Sequence, residues 1–320
     1  MTESIPTDSI PFVSAETIDV KLDYRSLIDA LRAAFAADWT VPVRHHHAVP
    51  IPGEDDQTLL LMPAWEGGKS VGVKIVTITP GNGGRHLPAV QGIYLLLDGL
   101  TGAPKALMEG KTLTVRRTAA ASALAATYCA RADASMHLMV GAGALARPLI
   151  EAHRAARPIA KTLLWARKAD QAEAKAAECR KAGIAVEVAR DLEAAARQAD
   201  VISCGTLSPE PLIRGAWLKP GAHLDLVGAY LPELRESDDE AVRRATLFCD
   251  TRAGALKEGG DLVQPLKAGV IKEADVAADL ADLCKGRHPG RKRADEITLF
   301  KSVGTAIEDL AAAKLMLERM

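Results

Sequence analysis

The sequence predicts an α/β protein, a doubly wound parallel sheet joined to a second, discontinuous α+β domain. Strand-like and helix-like segments alternate from about residue 136 onward. The first strand-to-helix turn of that stretch carries Gly141-x-Gly143-x-x-Ala146. The first 110 residues have a different texture, with short helices and longer strands joined by glycine- and proline-rich turns.

Taken in order, DYRSLIDALRAAFAADW reads as a helix, and TLLLMPAW, SVGVKIVTITP and GIYLLLDG read as strands. TLTVRRTAAASALAATYCARA is alanine-rich with high helix propensity, a connecting helix between domains. Then come the strand MHLMVGAG, the helix ALARPLIEAHRAA, the strand KTLLWAR and the helix DQAEAKAAECRKAG. IAVEVA, VISCGT, HLDLVGAY and LFCDT are further strands, with DLEAAARQA helical. The closing TLFKSVGTAIEDLAAAKLMLER is expected to be one long amphipathic helix that returns to the first domain. The expected division is 1–118 with 302–320, against 119–301.

Composition narrows the function. Forty basic and forty-one acidic residues nearly cancel, which gives no electrostatic case for nucleic acid or an anionic membrane. No apolar run is long enough to span a bilayer, and the first fifteen residues lack the basic and apolar regions of a secretory signal. Five scattered cysteines without C-x-x-C spacing read as reduced, mostly buried thiols, so a cytoplasmic address is expected. The basic stretch GRHPGRKR, 286–293, reads as a solvated loop.

In the glycine motif, Gly141 permits the tight turn and Gly143 lets a pyrophosphate approach backbone. Ala144 and Leu145 complete the turn, and the small Ala146 lets the helix pack on the strand. The motif predicts dinucleotide binding at the helix N-terminus. An acid near the end of the second strand would bind the ribose 2′-hydroxyl of NAD. Here Ala166, Arg167 and Lys168 occupy that region, and two cations without a carboxylate favour a 2′-phosphate. NADPH is the expected cofactor, with NADH as the alternative. Thr206 and the run Val227, Gly228, Ala229 lie beyond strand C-termini, where doubly wound folds place ligand contacts.

Several segments together resemble the ornithine cyclodeaminase/μ-crystallin family. They are LMPAW, GVKIVTITPGN, LDGLTGAPKALMEGKTLTVRRTAAASALAA, VGAGALA, WLKPGAHLDLVGA, GDLVQPLKAGVI and TLFKSVGTAIEDLA. The resemblance implies a Rossmann domain plus a substrate and dimerisation domain built from both termini, in a homodimer. It implies that Arg44, Lys74 and Arg117 bind the carboxylate of an amino or imino acid, and places Ser302 and Gly304 near the nicotinamide. Guanidinium forks suit that task, and a lysine supplies a point charge or a proton. Lys74 sits within the otherwise apolar VGVKIVTI.

One departure bears on the chemistry. Ornithine cyclodeaminases carry an aspartate where this chain has Tyr230, and a phenol with a pKa near ~10 cannot replace an anion at neutral pH. VGAYLPELRE and RHHH look more like the ketimine reductases. That resemblance implies reduction of Δ1-pyrroline-2-carboxylate to proline, or of Δ1-piperideine-2-carboxylate to pipecolate. Cyclodeamination, alanine dehydrogenation and NADPH-dependent binding without turnover are the alternatives. His46 and His47 are expected to line the substrate pocket. Successive residues of an extended chain face opposite sides, so His45–His47 are not expected to hold one metal ion. Asp261 matches a family position and reads as structural.

Overall fold

The computed structural model describes residues 10–320. The described residues form two compact units: 10–117 with 305–320, and 118–304.

The first unit is built on a six-stranded sheet. Its strands are β1 (Phe12–Val13), β2 (His45–Val49), β3 (Gln57–Glu66), β4 (Ser70–Ile78), β5 (Val90–Asp98) and β6 (Pro104–Glu109), in the order β1-β6-β5-β4-β3-β2. Strands β2 to β6 pair antiparallel, while β1 joins β6 in parallel. Side chains alternate along each strand, so one face is buried: Leu60, Met62 and Ala64 on β3, Tyr94 and Leu96 on β5, Ala106 and Met108 on β6. Helix Tyr24–Ala36 buries Leu27, Ile28, Leu31 and Phe35 at helical spacing, and Asp23 caps it by accepting the Ser26 amide. Each buried leucine stabilises by about 1.5–3 kcal/mol.

The C-terminal segment is not the single amphipathic helix expected from the sequence. Residues Ile297–Lys301 form a strand of the second unit, and the helix is confined to Ala306–Glu318. The β-branched and aromatic side chains of ITLF fit a sheet that is buried on both faces. The helix packs on β3, β4, β5 and Tyr24–Ala36, and every residue from Ala306 to Ala313 is buried. Its alanines allow approach from nearly every side, which removes the solvent stripe that an amphipathic helix needs.

The second unit carries an eight-stranded, wholly parallel sheet. Its strands are β7 (Met136–Val140), β8 (Lys161–Trp165), β9 (Glu187–Val188), β10 (Val201–Cys204), β11 (His223–Leu226), β12 (Ala245–Cys249), β13 (Val276–Asp279) and β14 (Ile297–Lys301). The order β13-β12-β14-β11-β10-β7-β8-β9 reverses direction between β7 and β10, which is where such sheets open a crevice. Helix Gly110–Cys129 contains the division between the units. Glu109 begins it by accepting the amides of Lys111 and Thr112, and Ala119, Ala120, Ala121, Ala123, Leu124, Ala125 and Ala126 are all buried.

In the basic loop 286–293, Gly286, Arg287, Pro289, Lys292 and Arg293 are exposed as expected, and Arg291 is the cation that departs from expectation. Arg291 folds inward and donates to the carbonyls of Cys129 and Ala222 and to the Thr298 hydroxyl. Its guanidinium thus satisfies acceptors at strand ends that solvent would otherwise reach.

Candidate active site

In the second unit, the loops after β7 and β10 enclose a cleft of about 350 Å³, lined by Gly141, Gly143, Ala166, Arg167, Lys168 and Thr206 among others. Gly141 has φ +110°, and a Cβ there would stand 2.9 Å from the Gly205 carbonyl. Only glycine makes this turn. A Cβ at Gly143 would meet nothing closer than 3.9 Å, so the absent side chain leaves room for a ligand rather than for protein. Leu145 precedes helix Ala146–Ala156 without a side-chain cap, and Ala146 is fully buried. Ala144 is exposed in the same turn.

Arg167 and Lys168 are exposed at the rim, and no carboxylate lines the cleft among the described residues. The cradle therefore fits a dinucleotide: glycine backbone where a pyrophosphate would lie and cations beyond the second strand. Val227, Gly228 and Ala229 are buried, and Tyr230 is half-buried with its amide donating to the Gly228 carbonyl at 3.0 Å.

Ser302 is fully buried, and its hydroxyl donates to Asp250 Oδ2 at 3.0 Å. The same oxygen accepts the amides of Val303 and Gly304, each at 2.7 Å. Asp250 thus shapes the turn after β14, and the Ser302 side chain is committed to that turn.

In the first unit, Lys74 lies on the covered face of β4, flanked in register by Met62 and Tyr94. The residue is 2% exposed, and its ammonium sits 3.0 Å and 2.8 Å from the two oxygens of Asp309. Thr114 Oγ1 stands at 3.4 Å. Arg117 is also buried. It donates through Nε to Asp309 Oδ1 at 2.9 Å and through Nη1 to Glu308.

Burial lowers the Lys74 pKa most, with help from the charges of Arg117 and Arg44 and against the pull of Asp309. The result is about 8, down from 10.5. Burial acts to raise the Asp309 carboxyl, but Arg117 and Lys74 outweigh it and hold the pKa below the usual value. For Arg117 burial works against the charge, yet Asp309 and Glu308 keep the pKa above its ordinary value. Beside them the Tyr94 hydroxyl is buried without a hydrogen-bond partner, and burial with the nearby Asp309 keeps it a neutral phenol. Gly72 makes room for it, since a Cβ there would stand 1.8 Å from the Tyr94 oxygen.

The structure thus gathers Lys74, Arg117 and, through its charge, the half-buried Arg44. It does not gather the two histidines. His46 pairs with Leu60 and shares the face of Lys74, whereas His47 pairs with Leu59 on the opposite face. A strand cannot turn both to one pocket within a chain, so the expectation that both line it is corrected for His47. All three histidines are exposed, and His45 and His47 meet edge-on at 6.3 Å.

Asp309, Glu308, Tyr94 and Asp250 were not singled out from the sequence. The only signal for the first two was an acidic pair inside AIEDLAAA, where every other residue is apolar or small.

A nucleotide-type cleft in one unit and a buried cation cluster in the other define an α/β protein of the dinucleotide-linked class. The profile of the ornithine cyclodeaminase/mu-crystallin family matches residues 11–320, and the chain belongs to that family. The Δ1-pyrroline-2-carboxylate reductase of Colwellia psychrerythraea is 34% identical, over 96% of this chain and 98% of its own. The structure of the Thermococcus litoralis Δ1-pyrroline-2-carboxylate reductase in complex with NADH and L-proline superposes with a TM-score of 0.89 at 35% identity. That match covers 97% of each chain. An archaeal alanine dehydrogenase dimer with bound NAD superposes at 0.87 and 30% identity, covering 97% of this chain and 95% of that one.

Proposed function

We propose that the protein is an NADPH-dependent oxidoreductase acting on C=N bonds. It reduces a cyclic ketimine carboxylate, Δ1-pyrroline-2-carboxylate or Δ1-piperideine-2-carboxylate, to L-proline or L-pipecolate. The observation that carries this reading is the Lys74–Asp309–Arg117 cluster, a buried ammonium of pKa about 8 beside a guanidinium. A carboxylate substrate needs cationic anchors, and an imine nitrogen needs a proton before it accepts hydride readily.

In this reading Arg44 and Arg117 orient the substrate carboxylate. Lys74 Nζ delivers a proton to the imine nitrogen, and Asp309 holds the ammonium in place between turnovers. Tyr230, in place of an anion, leaves no partner for a distal ammonium group, which suits a cyclic imine better than ornithine. His46, on the Lys74 face, is the nearer histidine to the pocket.

The bound dihydronicotinamide supplies the hydride. The glycine turn at 141–146 and the loops at Thr206 and 227–229 hold the dinucleotide, with Gly304 closing the turn beside it. Arg167 and Lys168 meet the 2′-phosphate, which supports NADPH over NADH. The unit formed by residues 118–304 is the cofactor domain, and the other serves substrate binding and dimerisation. Val43, Val49, Val90 and Ile93, large apolar side chains exposed in that unit, support a homodimer.

The fold likeness to an alanine dehydrogenase favours one second reading, reductive amination of pyruvate. Rates of NADPH oxidation with each cyclic imine, and with pyruvate plus ammonia, separate the two readings. Oxidation with the cyclic imines is expected. Saturable NADPH binding without oxidation by either substrate would mark a binding protein instead.

A further inference from the structure

Glu236 is fully buried, and four donors converge on its carboxylate. Oε1 accepts the Thr206 amide at 2.6 Å and the Thr206 hydroxyl at 2.7 Å. Oε2 accepts the amides of Gly228 at 2.8 Å and Ala229 at 3.2 Å. One side chain therefore ties the loop after β10 to the loop after β11. Its own backbone is fixed in turn: the Glu236 carbonyl accepts from Leu212 and Ile213, and its amide donates to Asp261 Oδ1 at 2.8 Å. Lys301, the cation behind it, pairs with Asp261 Oδ2 at 2.9 Å rather than with Glu236.

We propose that Glu236 is a positioning residue that holds both cofactor loops in their binding geometry, and that only its ionised form does so. The inference rests on the reading of Thr206 and Val227–Ala229 as cofactor contacts. The chemical ground is the donor count. An ionised carboxylate is acceptor-only and matches four donors, whereas a protonated one turns an O–H toward an N–H and forfeits acceptors.

The groups facing Glu236 are Lys301, Asp261, Thr206 and the buried Cys204. Burial raises the Glu236 carboxyl most, Lys301 opposes, and Asp261 adds to the rise, leaving it at about 7. Loop geometry is thereby linked to pH in the neutral range.

The test measures NADH and NADPH Kd from pH 8 to pH 6, by energy transfer from tryptophan, since Trp165 lines the cleft. NADH is the decisive probe because it lacks the 2′-phosphate, which itself titrates near pH ~6. For the wild type, NADH affinity is expected to fall up to about tenfold over this range. In Glu236→Gln it is expected to be weak and flat with pH, and in Glu236→Asp to be weakened with the slope retained. A wild-type slope in Glu236→Gln would overturn the proposal.

Should that variant not fold, hydrogen exchange on the wild type decides, after correction for intrinsic rates. Residues 205–207 and 227–230 should lose protection between pH 8 and pH 6 while β7 and β10 keep it, and unchanged loop protection would overturn the proposal. Failure of the wild type to bind either nucleotide at any pH would sink the cofactor reading, and the exchange measurement would still judge the loop claim.

Discussion

Replacing Lys74 with methionine keeps most of its volume and removes its charge and its proton. Asp309 retains Arg117 at 2.9 Å, so the carboxylate is not stranded. If Lys74 protonates the imine nitrogen, the variant loses general-acid catalysis, worth about 10²–10⁴-fold in rate. NADPH affinity should be unchanged, because Lys74 belongs to the first unit and the nucleotide cleft to the second. The wild type offers an independent check. With a pKa of about 8, the ammonium form falls roughly tenfold for each pH unit above that value. Steady-state kcat/KM for Δ1-pyrroline-2-carboxylate should therefore be level below pH 7.5 and decline above about 8, and the methionine variant should lack that decline. A variant with near wild-type kcat/KM, or with the same alkaline limb, would refute the role.

Arg117→Ala leaves Glu308 and Asp309 buried with one cation fewer, and should cost about 3–5 kcal/mol of stability in urea unfolding. Arg167→Ala combined with Lys168→Ala should raise KM for NADPH at least tenfold while leaving that for NADH nearly unchanged, as measured by initial rates. Acid should destabilise the fold below pH 6.5. Burial, with the charge of His153 second, holds His137 and His223 well below 6.5, so the unfolded chain takes up two more protons there. Glu236 has the opposite sign: its raised pKa means that the folded state gains stability as pH falls from 7. Stability should therefore fall as pH drops from 6.5 to 5, and fall more steeply in Glu236→Gln, which lacks the opposing contribution. Denaturant titrations across this range read both slopes.

The nucleotide half of the protein was legible because its signals are local. A strand ending in Gly141, a small residue at 146 and two cations after the next strand are each set by neighbours a few residues away. The buried cation cluster was half legible. Lys74 stood out as a charge inside an apolar strand, but Asp309 lies 235 residues further on, and only folding brings the two together. Glu236 and Asp250 were invisible for another reason, since both act on backbone amides and amides carry no sequence signature. The last helix misled because alanine suits an exposed helix and a tightly packed one equally. Strand β13, four residues of VAAD, is too short and too small in side chain to register as a strand.

The central claim is that a cyclic imine is reduced at the expense of NADPH. The most direct measurement incubates the purified protein with NADPH and Δ1-pyrroline-2-carboxylate and quantifies proline by chiral chromatography against NADPH consumed. The account predicts one L-proline per NADPH, with slower turnover from NADH. Bound NADPH that stays reduced, with no proline formed from this imine or pipecolate from the six-membered one, would contradict it.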